Sequence, residues 1–386
     1  MPVRRRANTE VLQATTAQAV IVDRTTLPTR GVLFIGDPHV STVGPKRRQV
    51  AEPDWLGMTL RKLGEAAEIA NTRQLQALCP GDLVDDPRDL NQVLQVRLIR
   101  TLKRFARTLA TTVGNHDKKG TQLADDEVMT LLAETGMAEV INVSAFWGRL
   151  ILTAEDGRTH RLVVGMTPYG FAPPTSLAHF MGLPEGTDAA QAKAAAEADT
   201  VLWLTHADYA FEGAYPGAAE LVEIPGVDMV INGHMHGVKK PVVVGRTVWY
   251  CPGNIVRWSV DQAEHVPQVW AWSPFDPETM ASASGVRVPR LEGVALAHTP
   301  GAQAFSFEGR HAEASLLDAD AVAPVMASSF VAGLQATKQA MARGSDSTVA
   351  RELTQVITDL AIPAPAQTVL ERLMADASHS LHQATS

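Results

Sequence analysis

Gly31-Val32-Leu33-Phe34-Ile35-Gly36-Asp37-Pro38-His39 decides how the rest of the chain is read. Four apolar residues in succession, Val32 to Ile35, make a strand buried on both faces, and Gly36-Asp37 stops it. The pattern then repeats outward. A helix is predicted over about 55–75, where Leu56, Leu60, Leu63, Ala67 and Ala70 recur every three or four residues. A second strand ends at Gly81-Asp82, a helix covers about 89–107, and a third strand ends at Gly114-Asn115-His116. Alternating β and α segments with polar residues at the strand ends predict a layered α/β sheet that binds ligands beyond the carboxyl ends of its strands.

Residues 144–168 read as a hairpin, in which Leu150-Ile151-Leu152 and Leu162-Val163-Val164 flank Glu155-Asp156-Gly157-Arg158. Further strands end at Thr205-His206 and Asn232-Gly233-His234, and short strands follow through 242–250 and 268–272. The chain divides into an N-terminal arm (1–30), a catalytic domain (31–275), a linker with short strands (276–310) and a helical C-terminal region (311–386). Helices are expected there near 326–343, 347–361 and 366–377, with Pro363 and Pro365 separating the last two.

Composition narrows the class. At 386 residues the chain exceeds what one core usually holds, and 45% hydrophobic with 20% charged residues is ordinary for a globular protein. No apolar run approaches the roughly 18 residues of a membrane span, so no membrane partner is expected. Arg4, Arg5 and Arg6 precede no continuous apolar segment, which argues against a secretory signal and makes the cytoplasm the default compartment. Cys79 and Cys251 lie in apolar, strand-like contexts without a partner at metal-site spacing, so two unpaired thiols are expected. A net charge of −8 and a pI near 5.8 exclude a protein that coats nucleic acid by bulk electrostatics. They leave room for an enzyme whose metals supply positive potential only where substrate sits.

Five short segments place Asp, Asn or His just after an apolar strand: Gly36-Asp37-Pro38-His39, Gly81-Asp82, Gly114-Asn115-His116-Asp117, Thr205-His206 and Gly233-His234-Met235-His236. They hold five of the twelve histidines. A sharp turn can bring alternate residues together, so Asp37 with His39, and His234 with His236, can each converge on one metal. Oxygen ligands mixed with imidazole suit Mn²⁺, Fe or Zn²⁺ better than Ca²⁺. Holding two dications close together needs a shared carboxylate, for which Asp82 is the candidate, and such a pair activates a bridging water and clamps phosphate oxygens. Asn115 adds an uncharged ligand. His116 can point at the scissile phosphate or donate a proton to the leaving oxygen, with Asp117 orienting its ring.

In this order the segments resemble the calcineurin-like metallophosphoesterase superfamily, whose pattern runs D-x-H, GD, GNHD, an isolated His and GHxH, over about residues 31–255. The resemblance implies a β-sandwich flanked by helices with a small helical C-terminal extension. It implies one metal on Asp37, His39, Asp82 and His236, and a second on Asp82, Asn115, His206 and His234, with His116 as the catalytic histidine. Mn²⁺ is the expected ion.

Within the superfamily the chain looks closer to the SbcD-like and Mre-type DNA-repair nucleases, bacteriophage members included, than to protein phosphatases. Gly81-Asp82-Leu83-Val84-Asp85 follows their GDL form, and Pro252-Gly253-Asn254 through Arg257-Trp258 resembles their "PGS…R" segment. Two departures stand out: Asp85 and Asp86 occupy the place of a second histidine, and Asn254 replaces a small serine. Lys118, Lys119, Lys239, Lys240 and Arg257 follow the metal motifs and are expected to contact phosphates flanking the cut, with DNA as substrate. A small-molecule phosphodiesterase or nucleotidase is the alternative. A binding subunit whose C-terminal helices dock an ATPase is another, because no Gly-rich lysine loop for ATP occurs in this chain. By resemblance alone, a homodimer is expected.

Overall fold

The computed structural model describes residues 20–44, 54–214, 217–259, 262–276, 279–281 and 287–305. Arg4–Arg6 and the three C-terminal helices expected from the sequence lie outside them. In chain order the first half runs β1 (Gly31–Phe34), α1 (Trp55–Thr72), β2 (Leu75–Cys79), α2 (Gln92–Leu102), β3 (Leu109–Thr112), α3 (Val128–Glu134) and β4 (Ala138–Ile141). The second continues as β5 (Ala145–Thr153), β6 (Thr159–Thr167), α4 (Leu177–Phe180), α5 (Ala189–Ala195), β7 (Thr200–Thr205) and β8 (Met229–Asn232). It ends with β9 (Lys239–Val244), β10 (Thr247–Cys251), β11 (Gln268–Trp272), β12 (Thr279–Ala281), β13 (Arg287–Pro289), β14 (Glu292–Ala295) and α6 (Gly301–Ala304).

Two six-stranded sheets result, ordered β14-β11-β1-β2-β3-β4 and β5-β6-β7-β8-β10-β9. The alternation of strand side chains explains the layering. Val32 and Phe34 of β1 enter a core shared with Leu202 and Leu204 of β7 and Met229 and Ile231 of β8, which lies between the sheets. Leu33 and Ile35 point the other way, onto Leu56, Leu60 and Leu63 of α1. On the far side of the second sheet, Val201, Trp203 and Val230 pack under Leu177 of α4 and Ala192 of α5. The molecule is thus a mixed α/β protein of two six-stranded sheets with helices on their outer faces, the fold expected from the segment order.

Helix α1 begins where Asp54 caps it, accepting from Gly57 N at 2.7 Å. It stops at Thr72, three residues short of the expected end, because Gln74 at φ +54° turns the chain into β2. Strand β4, only four residues long and half-buried, carried too weak a pattern to be read from sequence. β14 lies in the stretch read as linker and short strands, yet it pairs antiparallel with β11, and Leu296 just beyond it is buried.

β1, β2 and β3 pair in parallel, as do β6, β7 and β8. The carboxyl ends of β1, β2, β3, β7 and β8 therefore deliver all five polar segments to the structure's functional centre. Pro252-Gly253-Asn254 closes that centre: Asn254 N donates to His236 O at 3.1 Å and Ile255 N to Gly36 O at 2.9 Å. A Cβ on Gly36 would lie 1.7 Å from the Gly253 carbonyl oxygen, a backbone atom with nowhere to go. Gly36→Ala is therefore expected to cost at least about 3 kcal/mol of stability, read by urea denaturation. An unchanged midpoint would mean that this closure is looser than the geometry implies.

Candidate metal centre

Six described residues other than glycine have positive φ, and four of them sit in the polar segments: Asp37 (+29°), His39 (+45°), Asp82 (+50°) and His234 (+71°). Side chains rarely tolerate this region, and such strain concentrates where geometry is dictated by function. Here it turns ligand-type side chains inward from the loops after β1, β2 and β8.

Ligand-type atoms of Asp37, His39, Asp82 and His236 all lie within 4.8 Å of one another, and so do those of Asp82, His206 and His234. Asp82 belongs to both groups. Its Oδ2 is 3.1 Å from His206 Nε2 and 3.7 Å from His39 Nε2, while Oδ1 accepts from His116 N at 2.8 Å. His39 Nε2 and His236 Nε2 stand 2.9 Å apart. Asn115 Oδ1 adjoins the second group, 3.1 Å from His206 Nε2 and 2.8 Å from His234 Nδ1. Asp37, His39, Asp82 and His206 are each at most 1% exposed.

The ring orientations are set from outside. His206 Nδ1 bonds to Pro80 O at 2.8 Å, which leaves Nε2 for the centre. His234 Nε2 faces Asp208 Oδ1 at 3.1 Å, which leaves Nδ1. Asp208 was not singled out in the sequence; its only signal is a position two residues after His206. Below, Thr205 Oγ1 and Ala207 N both donate to Asn232 Oδ1, tying the loops after β7 and β8 together.

The donor set fits a pair of divalent cations. Asp37 Oδ1 is buried with no hydrogen-bond partner, a costly state unless a cation takes it up. Burial pushes the Asp37 carboxyl up to about 6, with the neighbouring Asp82 charge adding to the effect. His206 rises to about 9 even though burial opposes it, because the Asp82 charge and hydrogen bond hold its proton. Burial and the nearby His39 take His236 down to about 3. Close carboxylates that share protons with facing imidazoles are what a cation pair would relieve.

His116 sits at the rim, its side chain 39% exposed. The sequence assigned its orientation to Asp117, and the structure gives that task to Asp85. His116 Nδ1 is 3.2 Å from Asp85 Oδ1 and 2.9 Å from Asp85 O. The Asp85 hydrogen bond is the main cause that lifts the His116 imidazole to about 9. Asp85 Oδ1 also lies 3.3 Å from His39 Nδ1. Asp117 is instead fully buried, accepting from Val84 N at 3.0 Å and Gly114 N at 2.8 Å, so it fastens two loops to each other. The sequence signal for Asp85 was its position three residues after Asp82, read there as the loss of a histidine. Asp85→Asn is expected to lower turnover about 10–100-fold, the usual effect of loosening the support of a ligand and a catalytic group; wild-type rates would exclude Asp85 from positioning either ring.

The proposed phosphate-contacting cations fare unequally. Lys118 is 9% exposed and donates to Tyr169 O at 2.8 Å and Thr121 O at 3.3 Å. Arg257 is 7% exposed and donates to His265 O at 2.7 Å and to Thr299 O. Both brace backbone rather than face solvent. Lys239 donates to Glu212 O at 2.9 Å, Lys119 lies 3.8 Å from Asp86, and Lys240 is exposed. Trp258, beside Arg257, stacks on His39 with centroids 5.3 Å apart. Cys79 and Cys251 are free and buried.

A shared buried carboxylate between two imidazole-rich donor groups, with an acid-capable histidine at the rim, defines a metal-dependent hydrolase of phosphate esters. The family model for calcineurin-like phosphoesterases matches residues 31–238, more than half of the chain, and the protein belongs to that family. No curated protein matches it. Among solved structures it is similar to a 5'-nucleotidase precursor from Thermus thermophilus (14% identity, TM-score 0.37, covering 77% of this chain and 60% of that one). A dimetal phosphatase from Danio rerio is similar at 11% identity and TM-score 0.37, with 64% and 93% covered. The NAD nucleotidase of Haemophilus influenzae follows at 9% identity and TM-score 0.34, with 86% and 60% covered. The chain thus spans only 60% of the length of either nucleotidase. No described helix is long and apolar enough to cross a membrane.

Proposed function

We propose that this phosphoesterase is a two-metal phosphodiesterase that cuts DNA. One ion would be held by Asp37, His39, Asp82 and His236, the other by Asp82, Asn115, His206 and His234, with Mn²⁺ the favoured occupant. Bound there, two divalent ions supply Lewis-acid charge to the phosphoryl oxygens and activate water. The chain's own residues do the rest. Asp85 takes up the Nδ1 side of His116 and favours its protonated form, so Nε2 remains to protonate the leaving oxygen.

The observation that carries the reading is a gradient of burial across the centre. Asp37, His39, Asp82 and His206 are sealed, whereas Asn115, His116, His234 and His236 form a partly exposed rim. A phosphate within a polymer reaches such a rim laterally, without entering an enclosed pocket. The GDL form and the Pro252–Trp258 segment support the same branch. One observation favours the nucleotidase alternative: with Lys118 and Arg257 turned inward, only Lys119, Lys239 and Lys240 remain to meet flanking phosphates. A subunit that docks an ATPase through its C-terminal region is the alternative of another class, and homodimerisation rests on resemblance alone.

The discriminating experiment is digestion of end-labelled single- and double-stranded DNA with Mn²⁺, run beside release of phosphate from thymidine monophosphate. Cleavage of DNA by the wild type and not by His116→Ala supports the nuclease. Phosphate release with intact DNA overturns it in favour of the nucleotidase.

A further inference from the structure

Tyr169 is the one exposed aromatic residue among the described residues, 37% open to solvent, and it stands at the metal centre. Its ring centroid is 5.8 Å from that of His234 at an interplanar angle of 32°, and 6.3 Å from that of His206. Its position against two rings of the donor groups, rather than its exposure as such, places an aromatic face where a substrate on the centre would lie.

The loop that carries it is fixed. Tyr169 N donates to Val113 O at 2.8 Å, at the end of β3, and Tyr169 O accepts from Lys118 Nζ at 2.8 Å. Lys118 also lies 5.4 Å from the Phe171 ring centroid. Both anchors belong to the loop that holds Asn115 and His116, so the tyrosine keeps its distance from the rim histidine. A rigid, half-open aromatic face next to a phosphate-cleaving centre is the geometry that stacks a planar base, and stacking is tolerant of base identity.

We propose that Tyr169 is the stacking platform for the nucleobase adjoining the scissile phosphate, a specificity-determining residue that selects nucleotide esters over base-less ones. This rests on the reading of the substrate as a nucleic acid. It also accounts for the lysine pattern: Lys118 serves recognition by holding the platform rather than by touching phosphate.

The test compares wild type with Tyr169→Ala, Tyr169→Phe and Tyr169→Trp. A fluorescent thymidylate oligomer and an abasic oligomer of equal length are titrated by anisotropy with Mn²⁺ bound, each variant carrying His116→Gln to slow cleavage. A thymidine p-nitrophenyl phosphodiester and methyl p-nitrophenyl phosphate are then hydrolysed with Mn²⁺. Tyr169→Ala is expected to weaken thymidylate binding, and to raise KM for the thymidine diester, by about 5–100-fold. The abasic oligomer and the methyl ester should not respond, and the Phe and Trp variants should stay near wild type. Equal losses on base-less probes, no loss at all, or a Phe variant as impaired as the Ala variant would overturn the proposal. If DNA is neither bound nor cut but the thymidine diester keeps its base-specific loss, the nuclease reading fails and the stacking role stands.

Discussion

Asp82→Asn is expected to lower phosphoester hydrolysis by at least about 10⁴-fold, a large share of the acceleration that hydrolases supply, and to leave one bound metal ion or none. Asp82 is the one residue common to both donor groups, 3.1 Å from His206 and 3.7 Å from His39. An amide in its place offers one neutral oxygen and turns N–H groups toward the imidazoles, so the charge that holds two dications together is gone. The fold should survive, because Asn tolerates the +50° φ at this position and its Oδ1 can still accept from His116 N. Elemental analysis of the purified variant, beside hydrolysis of bis(p-nitrophenyl) phosphate, reads both effects. Wild-type metal content with lost activity would move Asp82 from ligation to some other role.

His116→Gln should behave differently. Metal content should stay at the wild-type level, since the His116 ring, though 4.8 Å from that of His39, is engaged through Nδ1 by Asp85 and is in neither donor group that contains Asp82. Cleavage of a DNA phosphodiester should fall about 10²–10⁴-fold, the usual contribution of a positioned general acid. Hydrolysis of p-nitrophenyl esters should fall far less, because p-nitrophenolate leaves without a proton. Equal losses on both substrates would remove His116 from leaving-group protonation.

The two sheets and the centre were not equally legible in the sequence. Apolar runs such as Val32–Ile35 and Val201–Leu204 announce strands buried on both faces, and the glycine-rich polar segments mark where they end. That local signal suffices to name Asp37, His39, Asp82, Asn115, His206, His234 and His236, which the structure brings together. What a linear pattern cannot carry is the direction in which a long side chain turns. Lys118 and Arg257 read as a cationic rim, yet both are consumed by backbone carbonyls that only the folded loops provide. Asp85, given no role in the sequence, takes the one expected of Asp117 for the same reason: which carboxylate meets His116 depends on how the loops after β2 and β3 cross. Asp208 follows the Thr205-His206 segment without itself being part of a motif, Tyr169 belongs to a segment with none, and the parallel pairing of β6, β7 and β8 carries both to the rim. β14 joins the first sheet from a stretch too short and polar to advertise a strand.

The most direct test of the central claim is anomalous scattering from crystals grown with Mn²⁺. Two peaks a few ångströms apart, one on each side of the Asp82 carboxylate and in reach of His236 and His234 respectively, are the predicted result. A single peak, or density away from Asp82, would contradict a centre built for two ions.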